Sequence, residues 1–246
     1  MTDSMADLKG LHVATHPLIA HKMTLLRDKR TASHDFRRLL KEITFYLGFE
    51  ASRDLTLTPI EVVTPLAVHF HGSKLAQDIS IIPILRAGIG MEDGLLELMP
   101  RASVHHIGMY RNKSNFMPVQ YYNKLPKDHP CDVAFICDPC IATSNSLCAC
   151  VQIVKQWGAK QIIVIAAVGC KEGVRQLLEK HPDIHLHMGA LDDELSSAGM
   201  IVPGIGDAGD RQFGTPIDDD HMPQTAAVTA DDRGKRSRSD SLGGDR

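Results

Sequence analysis

Two short segments carry residue types and spacings suited to anion and sugar chemistry. The run Asp138-Pro139-Cys140-Ile141-Ala142-Thr143-Ser144-Asn145-Ser146 follows an apolar stretch and precedes a helical one. A strand, a turn of small hydrogen-bonding residues and a helix N-terminus make a phosphate cradle, because free N–H groups and the helix dipole converge on an anion. Thr143, Ser144 and Ser146 add hydroxyl donors. Asp138 is a poor neighbour for phosphate but suits sugar hydroxyls or a magnesium shell, since a carboxylate accepts from both. The same run also fits a plain capped helix with Ser146 as N-cap. In Arg86-Ala87-Gly88-Ile89-Gly90 a planar cation precedes small residues that let backbone approach a ligand, which suits a diphosphate. Gly108-Met109-Tyr110-Arg111-Asn112 presents a second arginine at an expected strand end.

The stretch from Ile201 to Thr215 is built to expose backbone, with Pro203 and glycines at 204, 206, 209 and 214. Such a loop offers N–H and C=O groups to a flat ring whose edge reads acceptor, donor, acceptor, as uracil does. Cytosine would set donor against donor there, at a cost of roughly 1–3 kcal/mol. Phosphate, diphosphate, sugar hydroxyls and a base are then all provided for, and together they describe a phosphoribosyl diphosphate and a nucleobase.

These segments need a scaffold that delivers them to one place. Ser33 to Gly48 has apolar residues at Phe36, Leu39, Leu40, Ile43 and Leu47, the spacing of an amphipathic helix ended by Gly48. From residue 79 onward, strand candidates rich in β-branched residues span 79–85, 104–108, 133–137, 162–168 and 184–188. Helix candidates at 89–98, 146–157 and 173–180 lie between them. Continuous apolar strands separated by helices predict an α/β fold, a parallel sheet covered on both faces, with ligands bound beyond the carboxyl ends of its strands.

Composition narrows the field. The chain has 246 residues, long enough for one α/β domain with additions, and 27 basic against 30 acidic residues. No global field attracts nucleic acid or an anionic membrane, so an anion site must be local. The longest apolar run, Ile162 to Cys170, is strand-sized and short of the roughly 18 residues of a membrane span. The start, Met1 to Gly10, lacks a secretion-signal layout, which predicts a soluble, cytoplasmic protein. Six cysteines sit in apolar patterns and read as small buried hydrophobes in a reducing compartment, although Cys137 and Cys140 form a C-x-x-C. His69-x-His71, His105-His106 and His185-x-His187 lack a carboxylate or cysteine cluster to complete a metal site and read as solvent-facing. Residues 1–15 read as an N-terminal extension, 16–215 as the folded domain and 216–246 as a disordered tail.

In residue identity and order these segments resemble uracil phosphoribosyltransferase, from about His16 to Thr215. The resemblance rests on Pro83-Ile84-Leu85-Arg86-Ala87-Gly88-Ile89-Gly90-Met91, on Gly108 to Asn112, on Asp138-Pro139 with Ala142-Thr143, and on Ile201 to Thr215. It implies a type I phosphoribosyltransferase fold, a mostly parallel sheet flanked by helices, with a β-arm projecting over 112–127. It also implies the reaction of uracil with 5-phosphoribosyl 1-diphosphate to give UMP and diphosphate, with Mg2+ bound mainly through the donor and no protein metal site. Arg86, Arg111, Asp138 and Asp207 would carry catalysis. Donor binding would use Arg86, Arg111, the run Asp138, Pro139, Cys140, Ile141, Ala142, Thr143, Ser144, Asn145 and Ser146, and Asp207. Ile201, Gly206 and Ala208 would present main chain to uracil, beside Asp207. A homo-oligomer, dimer or tetramer, and an allosteric nucleotide are further candidate partners.

One departure stands out. The family's phosphate loop reads Ala-Thr-Gly-Gly-Ser, and here Ser144 and Asn145 replace both glycines. If that backbone needs positive φ, serine is strained there by roughly 1 kcal/mol, and donor binding is expected to be weakened or retuned. The same departure supports a competing reading, a non-catalytic nucleotide sensor or partner-binding subunit. Gly204-x-Gly206 suggests a dinucleotide-binding oxidoreductase only weakly, because no strand-to-helix G-x-G-x-x-G surrounds it.

Overall fold

The computed structural model describes residues 8–111 and 117–215, and of Arg111 only the backbone. The expected 216–246 tail, the first seven residues and part of the expected arm, 112–116, lie outside the described residues. In chain order the elements are β1 (Leu11–Val13), α1 (Pro17–Arg27), α2 (Ser33–Ala51), β2 (Leu57–Val63), β3 (His69–Leu75), β4 (Ile79–Leu85), α3 (Ile89–Leu98), β5 (Ser103–Val104) and β6 (Ile107–Arg111). They continue as β7 (Pro118–Asn123), β8 (Val133–Cys137), β9 (Cys140–Ile141), α4 (Asn145–Trp157), β10 (Gln161–Cys170), α5 (Lys171–Lys180), β11 (His185–Asp192), β12 (Glu194–Leu195), β13 (Ile201–Val202) and α6 (Ala208–Phe213).

The main sheet runs β1-β11-β10-β8-β4-β6-β7, with β5 beside β4 and β9 beside β10. Its pairs are parallel except β6 with β7, which are antiparallel. Every residue of β8 is buried, and so is β10 after Gln161. Alternation divides these strands between two cores. Ile81, Phe135 and Ile163 meet Met23 of α1, Phe36 and Leu40 of α2 and Leu95 of α3 on one face. Their neighbours Ile82, Ile136 and Val164 meet Val151 of α4 and Leu177 of α5 on the other.

Four local expectations change. The expected strand 104–108 is two strands: β5 follows β4 at Ser80↔Ser103, and β6 rejoins it at Ile84↔Ile107. His105 and His106 interrupt it, with the His106 ring 2.9 Å from Glu92. Gly108 to Arg111 is therefore strand, not a loop at a strand end. Second, α2 runs past Gly48 to Ala51, because Gly48 makes room for the Leu95 side chain of α3 and does not end the helix. Third, Ser144 and not Ser146 holds the N-cap position of α4, and it makes no side-chain cap bond. Fourth, His187 is half-buried, stacked on His12 of β1 with ring centroids 4.4 Å apart, whereas His69 and His71 do face solvent. Sequence reasoning missed the β2–β3 hairpin, which pairs only with itself and exposes all but one residue of each strand. Among the described residues no helix is long and apolar enough to cross a membrane.

Candidate active site

The tips of β4 and β8 are held side by side by a glycine. A Cβ on Gly88 would lie 2.6 Å from the Ile84 nitrogen and also press on the Cys137 carbonyl oxygen, so only hydrogen fits between the strand ends. That packing sets the Arg86-Ala87-Gly88 turn next to Asp138. Arg86 Nη2 donates to Asp210 Oδ1 at 2.8 Å and Nη1 reaches Thr215 Oγ1 at 3.4 Å. The guanidinium stands 5.6 Å from the Phe213 ring centroid. Half of its side chain is exposed, so the cation is available to a ligand. Gln212, fully buried, donates from Nε2 to the Ala87 carbonyl at 2.8 Å and ties α6 to the same turn.

After β8 the chain passes Asp138 and Pro139, joins β10 through β9, and turns at Ala142-Thr143-Ser144 into α4. Ser144 is left-handed, φ 59°, and 5 % exposed. Its hydroxyl accepts from Cys148 Sγ at 3.6 Å, so it is turned inward and is not among the donors facing a phosphate. Thr143, Asn145 and Ser146 are half-buried at the mouth of the helix. The φ confirms the strained serine, and Ser144→Gly is expected to raise the unfolding free energy by about 1 kcal/mol in urea denaturation. No gain in stability would show that the turn is not under strain.

Asp138 is half-buried, and removal from water pushes its carboxyl up to about 7, opposed by a hydrogen bond from the Cys140 amide. Burial also pushes up the thiols of Cys137 and Cys140, which makes them poor nucleophiles, and all six cysteines are free. The carboxylates of Asp138 and Asp207 push the Cys140 thiol up further, and a Cβ on Gly209 would lie 3.1 Å from Asp207 Oδ1 and 3.2 Å from Arg86 Nη2. This packing sets the glycine-rich C-terminal loop against the tip of β4.

That loop is braced from below by two arginines. Arg27 forks onto Asp192 at 2.8 and 2.7 Å and donates to the Gly204 carbonyl at 2.8 Å, while Asp192 also accepts from the Gly204 amide at 2.9 Å. Arg211 donates to the carbonyls of Ile205, Leu26 and Asp28 at 2.8, 2.6 and 2.6 Å and lies 4.5 Å from the Phe36 ring centroid. Gly206 is exposed between buried Ile205 and half-buried Asp207. Ile201 is buried in β13. Asp207 caps α6, with Oδ1 accepting from the Asp210 amide at 2.8 Å.

The structure thus brings together Arg86, Asp138, Cys140, Asp207 and Ala208. Arg111 sits at the end of β6, opposite Pro118 of β7 and three residues beyond the last pairing of β6 with β4. Sequence reasoning missed Arg27, Asp192, Asp210 and Arg211. Asp210 and Arg211 lie inside the segment that was singled out, but nothing in its spacing reveals partners 124 and 185 residues away. Among the described residues no three His, Cys, Asp or Glu side chains are grouped to hold a metal ion.

A family model described as uracil phosphoribosyltransferase matches residues 13–215. A uracil phosphoribosyltransferase of Roseiflexus castenholzii is 47 % identical over 208 residues, covering 85 % of this chain and all of that one. One of Streptococcus equi subsp. zooepidemicus is 48 % identical over 203 residues, 82 % of this chain and 97 % of that one. The solved structure of the AQ2163 protein from Aquifex aeolicus superposes with a TM-score of 0.80 at 31 % identity, covering 84 % of this chain and 99 % of that one.

Proposed function

The chain belongs to the uracil phosphoribosyltransferase family, and we propose accordingly that its crevice joins uracil to 5-phosphoribosyl 1-diphosphate, giving UMP and diphosphate. The observation that carries this reading is the packing of Gly209 against Arg86, with Gln212 Nε2 2.8 Å from the Ala87 carbonyl, which supports a base-reading turn beside the strand tips. In this assignment Ala142 to Ser146 hold the 5′-phosphate through the first amides of α4, and Asp138 accepts from the ribose hydroxyls. Ile201, Gly206 and Ala208 present main chain to uracil. Arg86 and Arg111 take the diphosphate.

Transfer builds positive charge on the ribose carbon while negative charge gathers on the departing diphosphate. Arg86 meets that charge as a fixed cation, so catalysis is electrostatic and needs no covalent intermediate. Its own side of the pair with Asp210 is half-exposed, so a diphosphate can reach the guanidinium beside that carboxylate. Magnesium, when bound, neutralises diphosphate charge. The residues fit an ion carried by the donor's own oxygens, because Asp138 is a single carboxylate whose hydrogen bond from the Cys140 amide leaves it acceptor capacity.

Radiolabelled uracil incubated with donor and magnesium tests the assignment: labelled UMP supports it, and binding without product would make the protein a nucleotide sensor. Self-association into a dimer or tetramer belongs to the same proposal, supported by Val63, Leu66 and Phe70 of the β2–β3 hairpin, which are 62, 86 and 57 % exposed. The balanced charge and buried free cysteines support a cytoplasmic site of action.

Asp138 gives this reading a pH signature. A carboxyl raised from 3.8 to about 7 is protonated in the folded chain over a range where the unfolded chain has released its proton. Stability from this group therefore falls as pH rises from 3.8 to about 7 and is level above it. Sugar binding needs the ionised acceptor, so kcat/KM for the donor is expected to rise through a midpoint near 7. Initial rates between pH 5.5 and 8.5 check this (roughly the span of a single titration); a profile unchanged by Asp138→Asn would remove Asp138 from donor binding.

A further inference from the structure

Helix α5 supports the phosphate turn from outside it. A Cβ on Gly173 would run into the Ala142 carbonyl oxygen, so the helix lies against the turn's backbone. Half-buried Gln176, about one helical turn further on, places Nε2 3.0 Å from Asn145 Oδ1. With its amide turned over, Nε2 donates to the Thr143 carbonyl at 3.2 Å and Oε1 accepts from Lys180 Nζ at 2.7 Å, and Oε1 also accepts from the Asn145 side chain at 3.0 Å once that amide is turned over as well. In either orientation Gln176 grips the turn.

Asn145 is the first residue of α4, beside the amides that a phosphate needs. A short polar side chain at a helix start readily folds back onto those amides and competes for them. We infer that Gln176 is a positioning residue, drawing the Asn145 side chain toward α5 so that the first amides of α4 stay open to the donor's 5′-phosphate. This rests on the phosphoribosyltransferase reading above.

The test is a double-mutant cycle in the full chain, read by calorimetric binding of 5-phosphoribosyl 1-diphosphate and by steady-state rates with uracil. Gln176→Ala is expected to weaken donor binding roughly three- to ten-fold, the worth of one hydrogen bond, with kcat and the KM for uracil moved less than about two-fold. In an Asn145→Gly background, which has no side chain to restrain, the same change is expected to weaken binding by less than about two-fold. An equal penalty in both backgrounds, or a parallel rise in the KM for uracil, overturns the inference, because Gln176 would then merely brace the fold. Donor binding with the coupling but without turnover sinks the proposed function alone. A wild-type chain that binds no donor sinks both.

Discussion

Arg86→Ala is expected to lower kcat by about 10²-fold or more, a loss of roughly 2.7 kcal/mol of transition-state stabilisation. Arg86 stands at the tip of β4, where the Gly88 packing fixes its turn against β8, and its guanidinium is half-exposed toward the crevice. Its known partners, Asp210, Thr215 and Phe213, orient it without burying it. Truncation should therefore leave the fold intact, and thermal unfolding of the variant serves as the control. Arg86→Lys should recover only part of the loss, since an ammonium lacks the two-pronged planar geometry. Steady-state kinetics with both substrates decide the matter: unchanged kcat and unchanged donor KM in Arg86→Ala would take Arg86 out of the mechanism.

Arg27→Ala is expected to cost about 3 kcal/mol of stability, because it leaves the Asp192 carboxylate buried without its cation. Asp192 is 7 % exposed and Arg27 about a quarter exposed, which places the cost at the lower end of the range for broken buried pairs. For a domain of this size that corresponds to a fall in Tm of roughly 6–12 °C. The Gly204 carbonyl loses its donor at the same time, so the glycine-rich turn loosens; if that turn reads the base as proposed, the KM for uracil should rise more than the KM for the donor. A melting point within about 2 °C of wild type, together with an unchanged KM for uracil, would show that the brace is ornamental.

These two arginines mark where the sequence can be read and where it cannot. Strands β8 and β10 are legible because burial on both faces demands uninterrupted apolar runs, and Ile162 to Cys170 is such a run. Helix α3 has the expected bounds because its apolar residues repeat between a glycine-rich turn and the next strand. The places of Arg86 and Asp138 at the tips of β4 and β8 were legible, and the left-handed Ser144 was legible as strain. The bonds that make a site of these parts were not. Arg27 meets Gly204 across 177 residues and Arg86 meets Asp210 across 124, and polar pairs so far apart leave no period in the chain. Gly48 misled for a related reason: its role is set by Leu95 on another helix, whereas local rules see only a helix breaker.

The bracing of the glycine-rich loop by α1 has a consequence for biosynthesis. Arg27 and the carbonyls of Leu26 and Asp28 meet Gly204 and Arg211, so this turn is fastened by residues made early and residues made late. A nascent chain therefore cannot close this clasp until residues 204 to 211 have been made.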